Sequence, residues 1–207
     1  MSLWGRLFAA GYDMLMAGTE KAGLGDHRKK LLQTVRGRVL EIGGGTGANL
    51  PFYGADIDEL VITEPEEPMA RRLERKLSRY SLPVRVTRAP AENLPLEDAS
   101  FDFVVSTLVL CTVNDPTRAL EEAHRVLKPG GQLLFLEHVR SDDPKLARWQ
   151  DRLNGVQTRI GHGCNCNRAT LETIEDHGFS ITRIEHDRLP KAPPLVRPLI
   201  VGAAERA

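Results

Sequence analysis

Sulfur is scarce in this chain, net charge is absent and no long apolar run occurs, and each shortage excludes a class of function. Three cysteines in 207 residues do not form a disulfide framework, so a reducing cytoplasm is the expected setting. Twenty-eight basic residues balance 28 acidic ones, which leaves no electrostatic footprint for nucleic acid. The apolar N-terminus (Leu3, Trp4, Leu7, Phe8, Met14, Leu15, Met16) is interrupted by Arg6 and Asp13. A bilayer span needs about 20 uninterrupted apolar residues, so no integral segment is expected and only peripheral membrane contact stays open. No signal-peptide cleavage pattern, repeat or low-complexity tract is present. The length suits one domain with a sizeable core, read here as an N-terminal helical cap at 1–36 and a core at 37–207.

What is present is organised around Val39-Leu40-Glu41-Ile42-Gly43-Gly44-Gly45-Thr46-Gly47, a short buried strand running into a glycine-rich turn, with a helix expected from about Ala48. Alternate glycines let the backbone turn sharply and approach a ligand, because no Cβ stands in the way. Glu41 lies at the strand end beneath that turn. A dinucleotide turn would follow G-x-G-x-x-G, which is absent here. The pattern is Glu-x-Gly-x-Gly-x-Gly, and it resembles the first motif of the class I S-adenosylmethionine (SAM) dependent methyltransferases.

Two amphipathic helices are expected at 3–17 and 26–35; the resemblance implies that they cap the cofactor cleft. A second strand at 59–64 ends in Glu64, 21 positions beyond Gly43, where an acid in doubly wound folds accepts hydrogen bonds from ribose hydroxyls. Pro65 breaks that strand, and a charged helix with Met69, Leu73 and Leu77 on one side follows at 66–80. A third strand at 84–88 leads to a loop, 89–96, that in related methyltransferases carries an Asp for the adenine amino group. Pro90 stands at that place, leaving the backbone of Ala91 or the carboxylate of Glu92 to substitute.

An apolar strand at 100–106 continues as 107–113, and Thr107 and Leu108, just past its carboxyl end, are candidates to face the methionine part of the cofactor or the acceptor. Cys111 in that run reads as a small core residue. Asp115-Pro116 reads as an N-cap with proline at the first helical position, and Lys128-Pro129-Gly130-Gly131 ends that helix. A fifth strand, 132–139, places His138 at the same carboxyl edge as Glu41 and Glu64, as a candidate base. A helix over 145–156 feeds His162-Gly163-Cys164-Asn165-Cys166. This spacing is too tight for a four-ligand zinc site, so no metal is expected and 158–168 reads as a substrate-facing loop with Asn167 capping a helix at 169–177. Strands at 179–186 and 196–204, joined by a proline-rich link, end the chain as an antiparallel pair.

The fold class is therefore α/β, and the resemblance implies a Rossmann-like, seven-stranded, mainly parallel sheet with its last strand antiparallel and helices on both faces. Several segments resemble the small microsomal alkyl-thiol methyltransferases of animals (the methyltransferase-like seven group): Gly45-Thr46-Gly47-Ala48-Asn49, Ser106-Thr107-Leu108-Val109-Leu110-Cys111, Leu136-Glu137-His138-Val139, Gly163-Cys164-Asn165 and Leu195-Val196-Arg197-Pro198. The resemblance implies an enzyme that moves a methyl group from SAM to a small, apolar acceptor, a thiol first, leaving S-adenosylhomocysteine. Its cofactor residues would be Glu41, Gly43, Gly44, Gly45, Gly47, Glu64, Pro65, Ala91, Glu92, Thr107 and Leu108, with His138 as base ahead of His162. Rival readings are a phenolic, quinone-like or lipid acceptor at oxygen, nitrogen or carbon, a nicotinamide oxidoreductase, and a non-catalytic SAM-binding subunit. No heptad or exposed stripe in the sequence fixes an oligomeric state.

Overall fold

Short apolar runs rich in Val, Ile and Leu, separated by helices, dictate buried parallel strands. In the computed structural model, which describes residues 3–189 and 191–207, they are β1 (Gly37–Ile42), β2 (Ile57–Thr63), β3 (Val84–Thr87), β4 (Phe101–Thr107) and β5 (Leu127–His138). β6 (Phe179–Arg188) and β7 (Pro198–Arg206) complete a seven-stranded sheet of order β3-β2-β1-β4-β5-β7-β6. β7 lies between β5 and β6 and runs antiparallel to both; the other pairings are parallel. This is the expected sheet.

The helices are α1 (Leu3–Thr19), α2 (Gly25–Leu32), α3 (Glu67–Leu77), α4 (Pro116–Val126), α5 (Pro144–Ile160) and α6 (Thr170–Asp176). The side chains at 3–8 and 10 lie outside the described residues, and with them the expected stripe at Leu3 and Leu7. One core layer joins Leu31 and Leu32 of α2 and Leu73 of α3 to Leu60 and Val105 of the sheet. The opposite layer sets Leu120 and Ala123 of α4 and Ile174 of α6 against Val104, Leu133 and Phe135. Truncating a fully buried phenylalanine such as Phe101 or Phe135 to alanine would cost about 3–5 kcal/mol. Among the described residues no helix is long and apolar enough to cross a membrane.

Four local expectations fail for identifiable reasons. No α-helix opens at Ala48. Gly47 is left-handed (φ 82°) and Pro51 follows closely, so the chain makes a turn and a single 3-10 turn (Leu50–Phe52) before β2. The β4 run does not continue beyond Thr107, because Leu108 is left-handed (φ 60°) and turns the chain back. Lys128 to Gly131 do not simply stop a helix: β5 already begins at Leu127, and they bulge between two paired positions, Phe101 with Leu127 and Phe103 with Gln132. Asn167 does not cap α6; its amide donates to Asp151 at 3.2 Å instead.

β1 leads by its crossover to β2 on one side, while β4 lies on its other side, so the strand order reverses between β1 and β4. In an open sheet the ligand crevice lies beyond the carboxyl ends of the strands at that reversal. Asp115 caps α4 as expected, its side chain accepting from the Arg118 N–H at 3.1 Å. Asp115→Ala is expected to lower stability by about 1 kcal/mol while Asp115→Asn stays near wild type, as read by urea unfolding; equal losses in both would contradict the cap.

Candidate active site

At the reversal point the glycine turn stands on a buried polar array. Glu41, at the end of β1, accepts from the Asn49 amide at 2.9 Å and from the Tyr53 hydroxyl at 2.8 Å. The Asn49 amide also reaches Thr107 Oγ1 at 3.0 Å. Arg28 of α2, only 2% exposed, donates to Asn49 Oδ1 at 2.8 Å and to Thr107 Oγ1 at 2.9 Å, and pairs with Glu20 at 3.1 Å. The array thus binds α2 to the ends of β1 and β4. Gly44 is backed so closely that a Cβ there would meet Ile62 Cγ2 at 2.2 Å, whereas Gly45 (φ 55°) faces open space. The open side of the turn can therefore receive a ligand, while the other side cannot yield.

Glu64, just past β2, is 6% exposed and accepts one backbone N–H on each oxygen, Gly45 at 2.8 Å and Glu66 at 2.9 Å. Burial raises its pKa, offset in part by those two bonds. Each oxygen keeps a further lone pair for a hydroxyl. Glu92 is committed elsewhere: its Oε1 accepts from the N–H groups of Asn114 at 2.8 Å and Asp115 at 3.3 Å, tying its loop to the start of α4. Ala91 is buried against the core.

α1 crosses the turn. Asp13 accepts from the Thr46 hydroxyl at 2.5 Å and pairs with Lys76 at 2.8 Å. A cleft of about 350 Å³ lies beside this crossing, lined by Tyr12, Met16, Ala48 and Phe52. Burial pushes the Tyr12 hydroxyl up to about 12, so it stays protonated at neutral pH. A larger cleft of about 810 Å³, lined by Arg140, Arg168, His186 and Arg197, includes no residue of the turn.

The second half of the site sits past β4 and β5. Glu137, fully buried, accepts from the Ser106 hydroxyl at 2.7 Å and from the N–H groups of Val109 at 3.0 Å and Cys111 at 3.3 Å. Those bonds hold the turn that presents Cys111. His138, the next residue, has Nδ1 3.4 Å from Cys164 Sγ and 3.9 Å from Cys111 Sγ, while its buried Nε2 has no partner among the described residues. Burial and the neighbouring Cys164 thiol push the Cys111 thiol up; the Cys164 contact weighs most. His162 points elsewhere, its Nε2 2.6 Å from Glu66 Oε1. Cys166 is buried beside Asn154, so His162, Cys164 and Cys166 do not converge.

Arg28, Asn49, Tyr53, Asp13, Glu137 and Cys164 thus join the expected positions. Asn49, two residues after the last glycine, carried a sequence signal, whereas Arg28 reaches the site only through the packing of α2.

Burial pushes the Glu41 carboxyl up to about 7, against the opposing bonds from Tyr53 and Asn49. An acid whose pKa is raised by folding contributes stability below its unfolded value and loses it as pH rises through the folded value. Wild type should therefore lose roughly 3 kcal/mol from this group as pH rises from about 4.5 to about 7, a loss Glu41→Gln escapes. Urea unfolding of both proteins at several pH values reads the difference. Parallel pH profiles would contradict it.

The sequence profile of the family described as a methyltransferase domain matches residues 40–135. Thiol S-methyltransferase TMT1B of Rattus norvegicus is 38% identical over 170 residues, covering 80% of this chain and 69% of that protein. Thiol S-methyltransferase TMT1A of Homo sapiens is 35% identical over 170 residues with the same coverage. A SAM-dependent methyltransferase of Thermotoga maritima of known structure superposes with a TM-score of 0.72 at 25% identity, covering 98% of each chain. Sheet order, glycine turn and relatives agree, against the nicotinamide reading: this chain belongs to the class I SAM-dependent methyltransferases and is similar to the thiol S-methyltransferases.

Proposed function

We propose that the methyl acceptor is the sulfur of a small apolar thiol. What carries this reading is the likeness, over 80% of the chain, to enzymes named as thiol S-methyltransferases. The surroundings of His138 support it: the ring is buried against the Cys111 and Cys164 sulfurs, and Val109 and Leu110 of the same turn are buried too.

The cofactor supplies a methyl group already activated on a sulfonium. The chain's task is to hold it, exclude water, place the acceptor and remove a proton. The backbone from Gly43 to Gly47 receives the cofactor on its open side at Gly45, and Glu64 accepts from the ribose hydroxyls. Pro65 and the backbone of Ala91 border the adenine, with Glu92 holding the loop in place through Asn114. Glu41 and Thr107 act from beneath, through Asn49 and Arg28, while Leu108 turns the chain toward the acceptor.

A thiol has a pKa of about 8.5 and its thiolate is a strong nucleophile, so modest help suffices. His138 turns Nδ1 to the two cysteine sulfurs, and its buried Nε2, without a partner among the described residues, is the atom that would accept the acceptor's proton.

With labelled SAM, alkyl thiols should be methylated in preference to phenols, amines and lipid extracts. A phenol or amine methylated while thiols are not would overturn the assignment. His138→Gln should lower kcat about 100-fold with SAM affinity within a few-fold. Glu64→Ala should weaken SAM binding about 10-fold or more by calorimetry, because a charged hydrogen-bond acceptor is lost.

A further inference from the structure

Three soft or borderline donors from three separate parts of the chain converge at the carboxyl edge of the sheet. Cys111 comes from the turn after β4, His138 from the end of β5 and Cys164 from the loop after α5, and their donor atoms lie within 4.8 Å of one another. All three residues are buried, and among the described residues the imidazole's hydrogen-bonding contacts are those two sulfurs. Tetrahedral zinc, with sulfur at about 2.3 Å and nitrogen at about 2.0 Å, separates neighbouring S and N ligands by about 3.5 Å. The observed separations, 3.4 and 3.9 Å, bracket that value.

The backbone around the donors is fixed without any ion. Glu137 accepts from the Cys111 N–H, the Asn165 N–H donates to the Cys111 carbonyl at 2.7 Å, and Arg168 donates to the Val113 carbonyl at 2.7 Å. His162 and Cys166, which share a short motif with Cys164, stand outside the cluster.

We propose that Cys111, His138 and Cys164 bind a zinc ion whose fourth position takes the sulfur of the methyl acceptor. Two thiolates, one imidazole and one exchangeable position form the donor set of an open, catalytic zinc site rather than a closed structural one. Binding the ion breaks the two cysteine S–H bonds, forms two metal–sulfur bonds and releases both protons to solvent. The acceptor thiol then exchanges for water at the fourth position; its S–H bond breaks, a metal–sulfur bond forms and the proton leaves to solvent. The deprotonation assigned above to the His138 ring is in this state performed by the ion that the ring helps to hold. The role of the fourth position rests on the thiol reading; the three-ligand site does not.

The test uses the whole protein, stripped of metal and titrated with Zn2+ or Co2+. One ion per chain should bind, with release of about two protons, and the Co2+ form should show thiolate-to-cobalt charge transfer in a tetrahedral site. Cys111→Ser, Cys164→Ser and His138→Gln should each weaken metal binding at least 10-fold while SAM calorimetry still reports a folded cofactor site; Cys166→Ser should bind metal as wild type does. Adding a small alkyl thiol should shift the cobalt spectrum. Absence of stoichiometric metal, or metal retained in the Cys111→Ser/Cys164→Ser double variant, would overturn the site. So would metal-free protein in which these two cysteines simply form a disulfide under mild oxidant and which, kept reduced, takes up no ion. A cobalt spectrum that thiols leave unmoved would overturn the fourth-position role alone. If thiols are not methylated but metal still binds to the three residues, the thiol reading fails and the metal site stands.

Discussion

The buried array from Glu20 through Arg28, Asn49 and Thr107 to Glu41 is what the catalytic end of this molecule depends on. It joins a helix outside the Rossmann core to the ends of the two strands that flank the ligand crevice. Burying a guanidinium is costly unless its donors are matched, and here Glu20, Asn49 and Thr107 match them. Glu20 gives the array its ion pair, while Glu41 accepts from Asn49 and Tyr53 with a carboxyl that burial pushes up to about 7. The glycine turn is thus rigid from below. Its open side is left to the cofactor, and α1 reaches the same turn from above through Asp13 and Thr46.

Cofactor end and acceptor end are coupled by one segment. The loop after α5 reaches Glu66, two residues past Glu64, through His162, and reaches the Cys111 turn through Cys164 and Asn165. Glu137 anchors that turn from the sheet side by accepting from Ser106, Val109 and Cys111. Two buried carboxylates therefore brace this edge of the sheet, Glu41 beneath the glycine turn and Glu137 beneath the Cys111 turn. Neither has to touch a ligand to act.

Strand periodicity, the Asp115-Pro116 cap and the spacing from the glycine turn to Glu64 are local signals, and they made the sheet and the placing of Glu64 against the glycine turn legible in the sequence. What escaped was decided by tertiary contacts. Asn49 enters the site because the chain after Gly47 is too tightly turned for the helix expected there. Arg28 lies far from the turn in sequence and arrives by the packing of α2. Glu92 was a candidate for adenine on position alone, but its carboxylate bonds the start of α4. The His162-to-Cys166 spacing drew attention to a short motif, whereas the convergence lies between Cys164 and two residues from other strands' ends. Spacing within one segment cannot report on a cluster assembled from three.

If this array, and not ligand contact, fixes the glycine turn, SAM binding depends on Arg28. Calorimetry of SAM binding to Arg28→Met tests it most directly, since the substitution keeps much of the side chain's volume and removes the donors to Asn49, Thr107 and Glu20. SAM affinity should fall at least 10-fold in a protein whose far-ultraviolet dichroism matches wild type, the cost of leaving buried acceptors unpaired. Unchanged SAM affinity in the folded variant would contradict it.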